Sequence, residues 1–207
     1  MGIDILSGIG VKSTPMETFL FADLVGFTAL TAERGDEDAA DIALRLFAFV
    51  RPLLGEHHAE EIKTMGDGMM LRCADPGLAV ALGVRISAGS LGIPPVRVGI
   101  HTGSAVCRDG DWYGGGVNVA SRLCSAAGGG EVLVSNVTRS LAGEVGGVEL
   151  GGRRMHWLKN VPEPVIAWHA ATKSEAPAMA TTSTVACRSR RPRLPRLFHG
   201  PTRPATT

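Results

Sequence analysis

Two aspartates stand in settings where a carboxylate needs a reason. Asp23 interrupts the apolar run "FLFADLVGFT", and Asp67 sits in the glycine-flanked turn of "IKTMGDGMML". Burying an isolated carboxylate costs several kcal/mol unless something neutralises it. Taken singly, each has an ordinary reading: Asp23 as a strand-end carboxylate capping the next turn, Asp67 as a type I′ turn residue. Taken together, two carboxylates on neighbouring strands repel one another unless a divalent cation lies between them. Hard oxygen ligands suit Mg²⁺ or Mn²⁺, and two such ions about 3.5–4 Å apart serve phosphoryl transfer.

A phosphate-binding side is also present. The chain has no GxxxxGK[ST] run, which excludes a P-loop. Gly26, Phe27 and Thr28 closely follow Asp23, and backbone N–H groups exposed there would hold phosphate oxygens. In "GGGVNVASR", Asn118 and Arg122 are four apart, so both reach one ligand from one helix face. An exposed Asn and a solvated Arg are the bland alternative. Gly114, Gly115 and Gly116 ahead of them permit close approach of a ligand to the backbone, or form a plain loop.

These residues need elements to position them, and the chain alternates accordingly. "TFLFADLV" is strand-like, and "DEDAADIALRLFAFVRPLLGEHH" has helical spacing at Ile42, Leu46, Phe49, Val50 and Leu53 behind an acidic first turn. "EEIKTMGDGMMLRC" reads as two strands turning at Gly66-Asp67-Gly68. A helix follows from Pro76, then strand, turn, strand in "PVRVGIHTGSAVCRDGD". "GGVNVASRLCSAA" is a third helix, closed by Gly128-Gly129-Gly130; "EVLVS" is a strand, and "RRMHWLKNVPEPVIAWHA" a final pair. This order predicts an α+β sheet with helices on one face.

Composition sets the outer bounds. The 207 residues are 44% hydrophobic, enough for one core, and the net charge of +1 gives no chain-wide signal for nucleic acid or an anionic membrane. Cys73, Cys107, Cys124 and Cys187 are scattered without zinc-like spacing and fit a reducing compartment. "MGIDILSGIG" lacks a basic leader, and no apolar run is of membrane-spanning length, so a cytoplasmic protein is expected. Residues 1–16 carry little pattern. Residues 173–207, rich in Pro, Thr and Arg, read as a disordered basic tail. The domain is expected over residues 17–172.

"FLFADLVGFTAL", "IKTMGDGMM", "VRVGIHTG" and "DWYGGGVNVASRL" resemble, in order and spacing, the catalytic domain of class III adenylyl/guanylyl cyclases. The short stretch between "HTG" and Asp111 resembles a bacterial subgroup. The resemblance implies a ferredoxin-like fold with a mixed, mostly antiparallel sheet and packed helices. It implies that Asp23 and Asp67 bind two ions, Mg²⁺ or Mn²⁺, with the Leu24 carbonyl as a further ligand. Asn118 would orient the ribose, Arg122 would stabilise the transition state, and Arg97 and Lys159 would hold the triphosphate.

The resemblance also identifies Lys63 and Asp111 as the base-reading pair, of the types that adenylyl cyclases carry. An ammonium donates to adenine N1 and a carboxylate accepts from its amino group, whereas guanine mismatches both. The implied activity is therefore conversion of ATP to cyclic AMP and pyrophosphate, with guanylyl cyclase or a non-catalytic nucleotide-binding regulator as alternatives. A regulator should have lost one of Asp23, Asp67, Lys63, Asp111, Asn118 and Arg122, and all six are retained. A diguanylate cyclase or polymerase palm would show a GG[DE]EF-like turn or an acidic pair that the chain lacks. Family members work as dimers, so a homodimer with composite sites is expected: Asp23, Asp67 and Arg97 from one protomer, Lys63, Asp111, Asn118, Arg122 and Lys159 from the other. Trp112 and Tyr113 read as packing residues or as flanks of the adenine. His57 and His58 lie in a polar stretch, and His101 reads as structural.

Overall fold

The computed structural model describes residues 16–89 and 92–173. Apart from Met16 and Lys173, the expected N-terminal segment and basic tail lie outside the described residues.

The first strand, β1 (Met16–Leu24), is apolar without alternation and is buried on both faces. Leu20, Ala22 and Leu24 enter one core, while Phe19 and Phe21 enter another. After a short helix α1 (Phe27–Arg34) comes α2 (Asp36–Glu56), whose stripe Ile42, Leu46, Val50 and Leu53 is buried as its spacing requires, whereas Phe49 is only partly buried and Phe47 is the buried aromatic. β2 (Ala59–Met65) and β3 (Gly68–Cys73) form the hairpin, and α3 (Pro76–Ala88) starts at an Asp75 cap that accepts from Leu78 N–H at 2.9 Å. β4 (Val96–Ser104) then pairs with β1. β5 (Val106–Arg108) and β6 (Asp111–Tyr113) make a separate two-stranded ribbon, followed by α4 (Gly115–Ala126). β7 (Val132–Ser135), α5 (Asn136–Ala142), β8 (Val148–His156) and β9 (Val165–Thr172) complete the domain.

The main sheet has seven strands in the order β2-β3-β1-β4-β7-β9-β8; the β4–β7 pair is parallel and the other pairs are antiparallel. Its first half, β1-α2-β2-β3-α3-β4 in spatial order β4-β1-β3-β2, is the ferredoxin-like split unit. The expected α+β architecture with a mixed, mostly antiparallel sheet is present.

Three local expectations need correction. Helices do not share one face: α2 and α3 pack with Leu20, Ala22, Val98 and Ile100, whereas Ala120 and Cys124 of α4 pack with Phe19, Phe21 and Met70 on the other side. A strand buried on both faces demands a second cover, and α4 supplies it. The hairpin turn is Gly66-Asp67, with φ positive at Gly66 (61°) and not at Asp67, which is the sign pattern of type II′ rather than I′. Finally, Gly114 and Gly116 serve the fold: a Cβ on Gly116 would lie 2.8 Å from the Gly103 carbonyl carbon, and one on Gly114 would lie 2.9 Å from the Ser104 oxygen. The close approach they permit is to β4.

The tightest contact is further along the same helix. A Cβ on Gly99 of β4 would lie 2.1 Å from the Cys124 nitrogen and 2.6 Å from the Ala120 oxygen. The backbones of α4 and β4 therefore touch without an intervening side chain.

Candidate functional site

Alternation along β1 puts Asp23 on the same face as Phe19 and Phe21, beneath α4. The antiparallel register places Arg97 of β4 directly opposite it, and Gly68 of β3 on its other side. Arg97 Nε donates to Asp23 Oδ2 at 2.8 Å, and Nη2 reaches the same oxygen. Arg97 Nη1 donates to the Ser125 carbonyl at 3.4 Å. Gly68 is what lets the strands meet there, since a Cβ would stand 3.0 Å from Asp23 Oδ1. The partner of Asp23 within the chain is thus an arginine.

Asp67 reaches the same neighbourhood from the hairpin turn. Partial burial pushes its carboxyl above the usual carboxylate range, and the adjacent charge of Asp23 adds to the effect. A cavity of about 210 Å³ beside Asp23 is lined by Met65, Gly68, Ser121, Cys124 and Ser125 among others. The Cys124 thiol in its wall is pushed up to about 12, first by burial and second by Asp23, and stays protonated.

The donor set fits a hard divalent cation. Among the described residues, no cluster of three or more His, Cys, Asp or Glu side chains forms a closed cage. Two carboxylates with the Leu24 carbonyl nearby in the chain form a partial set of the kind Mg²⁺ completes with water and substrate phosphates. The repulsion felt at Asp67 is what such a cation relieves. Gly26, at φ 81°, then turns the chain into α1, whose ladder begins with Leu30 N–H to Gly26 oxygen at 3.0 Å. The N–H groups of Phe27 and Thr28 precede that ladder and have no partner within the helix.

A second constellation lies at the sheet edge. A register shift between Glu61 and Lys63 interrupts β2, and bulges of this kind re-aim side chains. Lys63 Nζ donates to Asp111 Oδ2 at 2.5 Å, and the Trp112 backbone N–H donates to Asp111 Oδ1 at 2.8 Å. These two bonds, Lys63 first, hold the Asp111 carboxyl below the usual range. The Tyr113 ring lies 6.0 Å from Lys63 Nζ and is half exposed, while Trp112 packs on Phe19.

The remaining residues stand apart. Asn118 and Arg122 are exposed on α4. They lie about 160° around the helix from Ala120 and Cys124, which face the sheet. Lys159 is exposed next to Leu158, which is buried with Leu123 of α4 and with Ala127 just past its end. The chain therefore brings together Asp23, Asp67 and Arg97, and separately Lys63 and Asp111, but turns Asn118 and Arg122 outward. His101 is structural: burial takes it down to about 4, and its Nδ1 lies 2.8 Å from Ser135 Oγ. Sequence reasoning missed Arg72, whose guanidinium lies over Trp112; no motif marks it, because the contact comes from strand register.

Residues 11–159 match the model of the adenylate and guanylate cyclase catalytic domain family. A pH-sensitive adenylate cyclase of Mycobacterium tuberculosis is 40% identical over 130 residues, covering 61% of this chain and 32% of that protein. An adenylate cyclase of Streptomyces griseus is 38% identical over 117 residues, covering 55% and 29%. The match thus spans about a third of the length of these curated relatives. The crystal structure of the guanylyl cyclase Cya2 superposes with a TM-score of 0.66 at 25% identity, covering 79% of this chain and 95% of that one. The adenylyl cyclase CyaB from P. aeruginosa superposes with a TM-score of 0.65 at 24% identity, covering 77% and 95%, a likeness of fold. No helix among the described residues is long and apolar enough to cross a membrane.

Proposed function

The chain belongs to the adenylate and guanylate cyclase catalytic domain family, and from that membership we propose that it is an adenylate cyclase, converting ATP to 3′,5′-cyclic AMP and pyrophosphate. The observation that carries the substrate is the Lys63–Asp111 pair, a donor and an acceptor already side by side at 2.5 Å. Adenine offers N1 to the ammonium and its amino group to the carboxylate. Guanine presents N1–H and O6 instead, leaving both groups mismatched, and unpaired buried polar groups are the strongest source of discrimination by binding.

In the reaction, the ribose 3′-oxygen forms a bond to the α-phosphorus, the bond to the pyrophosphate oxygen breaks, and the hydroxyl proton is released. Asp23 and Asp67, with the Leu24 carbonyl, would hold two Mg²⁺ or Mn²⁺ ions, whose charge would acidify the hydroxyl and neutralise the phosphates. Arg97, Lys159 and the N–H groups of Gly26, Phe27 and Thr28 bind the triphosphate. Asn118 orients the ribose. Arg122 meets the negative charge that grows on the α-phosphoryl oxygens.

The outward position of Asn118 and Arg122 supports a homodimer. They face away from Asp23 of their own chain, so a second copy is what brings them to a metal site. A two-fold arrangement makes two equivalent composite sites. The free thiols Cys73, Cys107 and Cys124 fit a reducing cytoplasm. The direct test is to incubate the full chain with ATP or GTP and Mn²⁺ and identify the product by mass spectrometry. Cyclic AMP from ATP, with little cyclic GMP from GTP, is expected; a predominance of cyclic GMP, or no cyclic product, overturns the proposal.

A further inference from the structure

Asp111 lies in a three-residue strand of a ribbon that is not part of the main sheet. A ribbon that short has little stability of its own, yet it carries a carboxylate whose direction matters. Oδ2 is held by Lys63, and Oδ1 by the Trp112 backbone N–H. The backbone position of Trp112 therefore sets where the carboxylate points.

What pins Trp112 is its indole. It meets Phe19 of β1 edge-on, with ring centroids 5.6 Å apart and planes at 61°, and it lies under the Arg72 guanidinium at 5.1 Å. Arg72 is itself fixed from both flanking strands. Its Nε donates to Glu17 Oε2 at 2.9 Å, Nη2 lies 2.9 Å from the same oxygen, and Nη1 lies 3.4 Å from Glu60 Oε2. A guanidinium so held by two carboxylates keeps its charge over the ring, and an ammonium, with no planar fork, does not reproduce that anchoring.

We propose that Arg72 is a positioning residue for base choice: through Trp112 it aims the Asp111 carboxylate at the amino group of adenine, without touching the nucleotide. The inference rests on Lys63 and Asp111 reading the base. Without Arg72 the ribbon is freer and the carboxylate no longer keeps one direction. Adenine loses a fixed acceptor. Guanine, which has no donor for that acceptor, loses nothing.

The test measures kcat/KM for ATP and for GTP in the full chain and in Arg72→Ala, Arg72→Lys, Trp112→Leu, Asp111→Ala and the Arg72→Ala/Asp111→Ala double variant. Arg72→Ala is expected to lower the ATP/GTP ratio by about fivefold to tenfold, through KM for ATP, the weight of one such contact. Arg72→Lys should recover the melting temperature but not the ratio. Trp112→Leu keeps apolar cover on Phe19 and should reproduce the lowered ratio even if Arg72→Ala does not fold. In the double variant the ratio should fall no further than in Asp111→Ala alone. Parallel losses for ATP and GTP, or a double variant whose losses multiply, make Arg72 merely structural and overturn the proposal. An unchanged ratio in Asp111→Ala overturns the base-reading assignment, and this inference with it. A lowered ratio in Asp111→Ala but not in Arg72→Ala or Trp112→Leu overturns this inference alone.

Discussion

Arg97 and Asp23 face one another across the β1–β4 ladder, and the guanidinium takes the carboxylate oxygen Oδ2 with two of its nitrogens. One side chain assigned to the triphosphate thus neutralises one assigned to metal. A triphosphate offers Arg97 charge-assisted bonds of its own, so under the proposed function nucleotide arrival would release Asp23 for a cation.

Removing the internal cation should therefore favour the external one. Arg97→Gln is expected to tighten Mn²⁺ binding to the nucleotide-free protein by about twofold to fivefold, the range of a partly exposed ion pair. Electron paramagnetic resonance of free Mn²⁺ measures this directly. KM for ATP should rise in the same variant. Unchanged Mn²⁺ affinity would mean that the two cations do not compete.

Asp67 gives a pH dependence with a definite sign. Its folded carboxyl lies above the usual range because of burial and of Asp23. Its contribution to stability is therefore present below the ordinary aspartate pKa and is lost as pH rises through the raised value. Asp67→Asn should stabilise the metal-free protein at neutral pH by a few tenths of a kcal/mol, small because solvent screens the site. The same change should abolish both cyclisation and the rise in melting temperature that Mn²⁺ produces in the parent. Mn²⁺ binding by the parent should weaken as pH falls, since protons compete at Asp67. Melting curves with and without Mn²⁺ at acid and neutral pH check all three statements.

Composite sites predict rescue between two dead variants. Asp67→Ala and Arg122→Ala should each be inactive. In a mixed dimer one site inherits both lesions and the other neither. Random exchange makes about half the dimers mixed, so the mixture should regain about a quarter of wild-type activity. Demonstrated subunit exchange without any regain would rule out sites shared between chains.

Gly99→Ala tests the seat of α4. A methyl there meets backbone atoms at 2.1 and 2.6 Å, which no rotamer change relieves. A loss of about 1–3 kcal/mol in stability is expected, as for overpacking elsewhere. Activity should fall beyond what the stability loss explains, because α4 carries Asn118 and Arg122. Denaturant titration and steady-state rates on the folded fraction separate the two effects.

Much of this was legible in the sequence because the informative residues are local. The hairpin around Asp67, the helical spacing behind Ile42 and Leu46, and the Pro76 start each follow from short-range rules. The second cover over β1 was legible too, in principle: "FLFADL" lacks the alternation of a half-exposed strand, and that run argues for burial on both faces. The ribbon partners of Asp111 were not. Strands of three residues carry too few positions for a period, and β5 follows β4 after a single residue, Ala105. The Arg97–Asp23 and Arg72–Trp112 contacts depend on register between distant segments, which no spacing along the chain encodes. Site residues drawn from the family resemblance reached further, since Lys63 and Asp111 are 48 residues apart yet adjacent in space.

The bare backbone contact between α4 and β4 has a mechanical consequence. With no side chains to reshuffle at Gly99, helix and strand have no soft layer between them and move as one stiff body. A signal that adjusts turnover in the proposed dimer then acts most cheaply by rotating one protomer against the other. Such a rotation carries Arg122 toward or away from the opposite Asp23 while the interior of each chain stays unchanged.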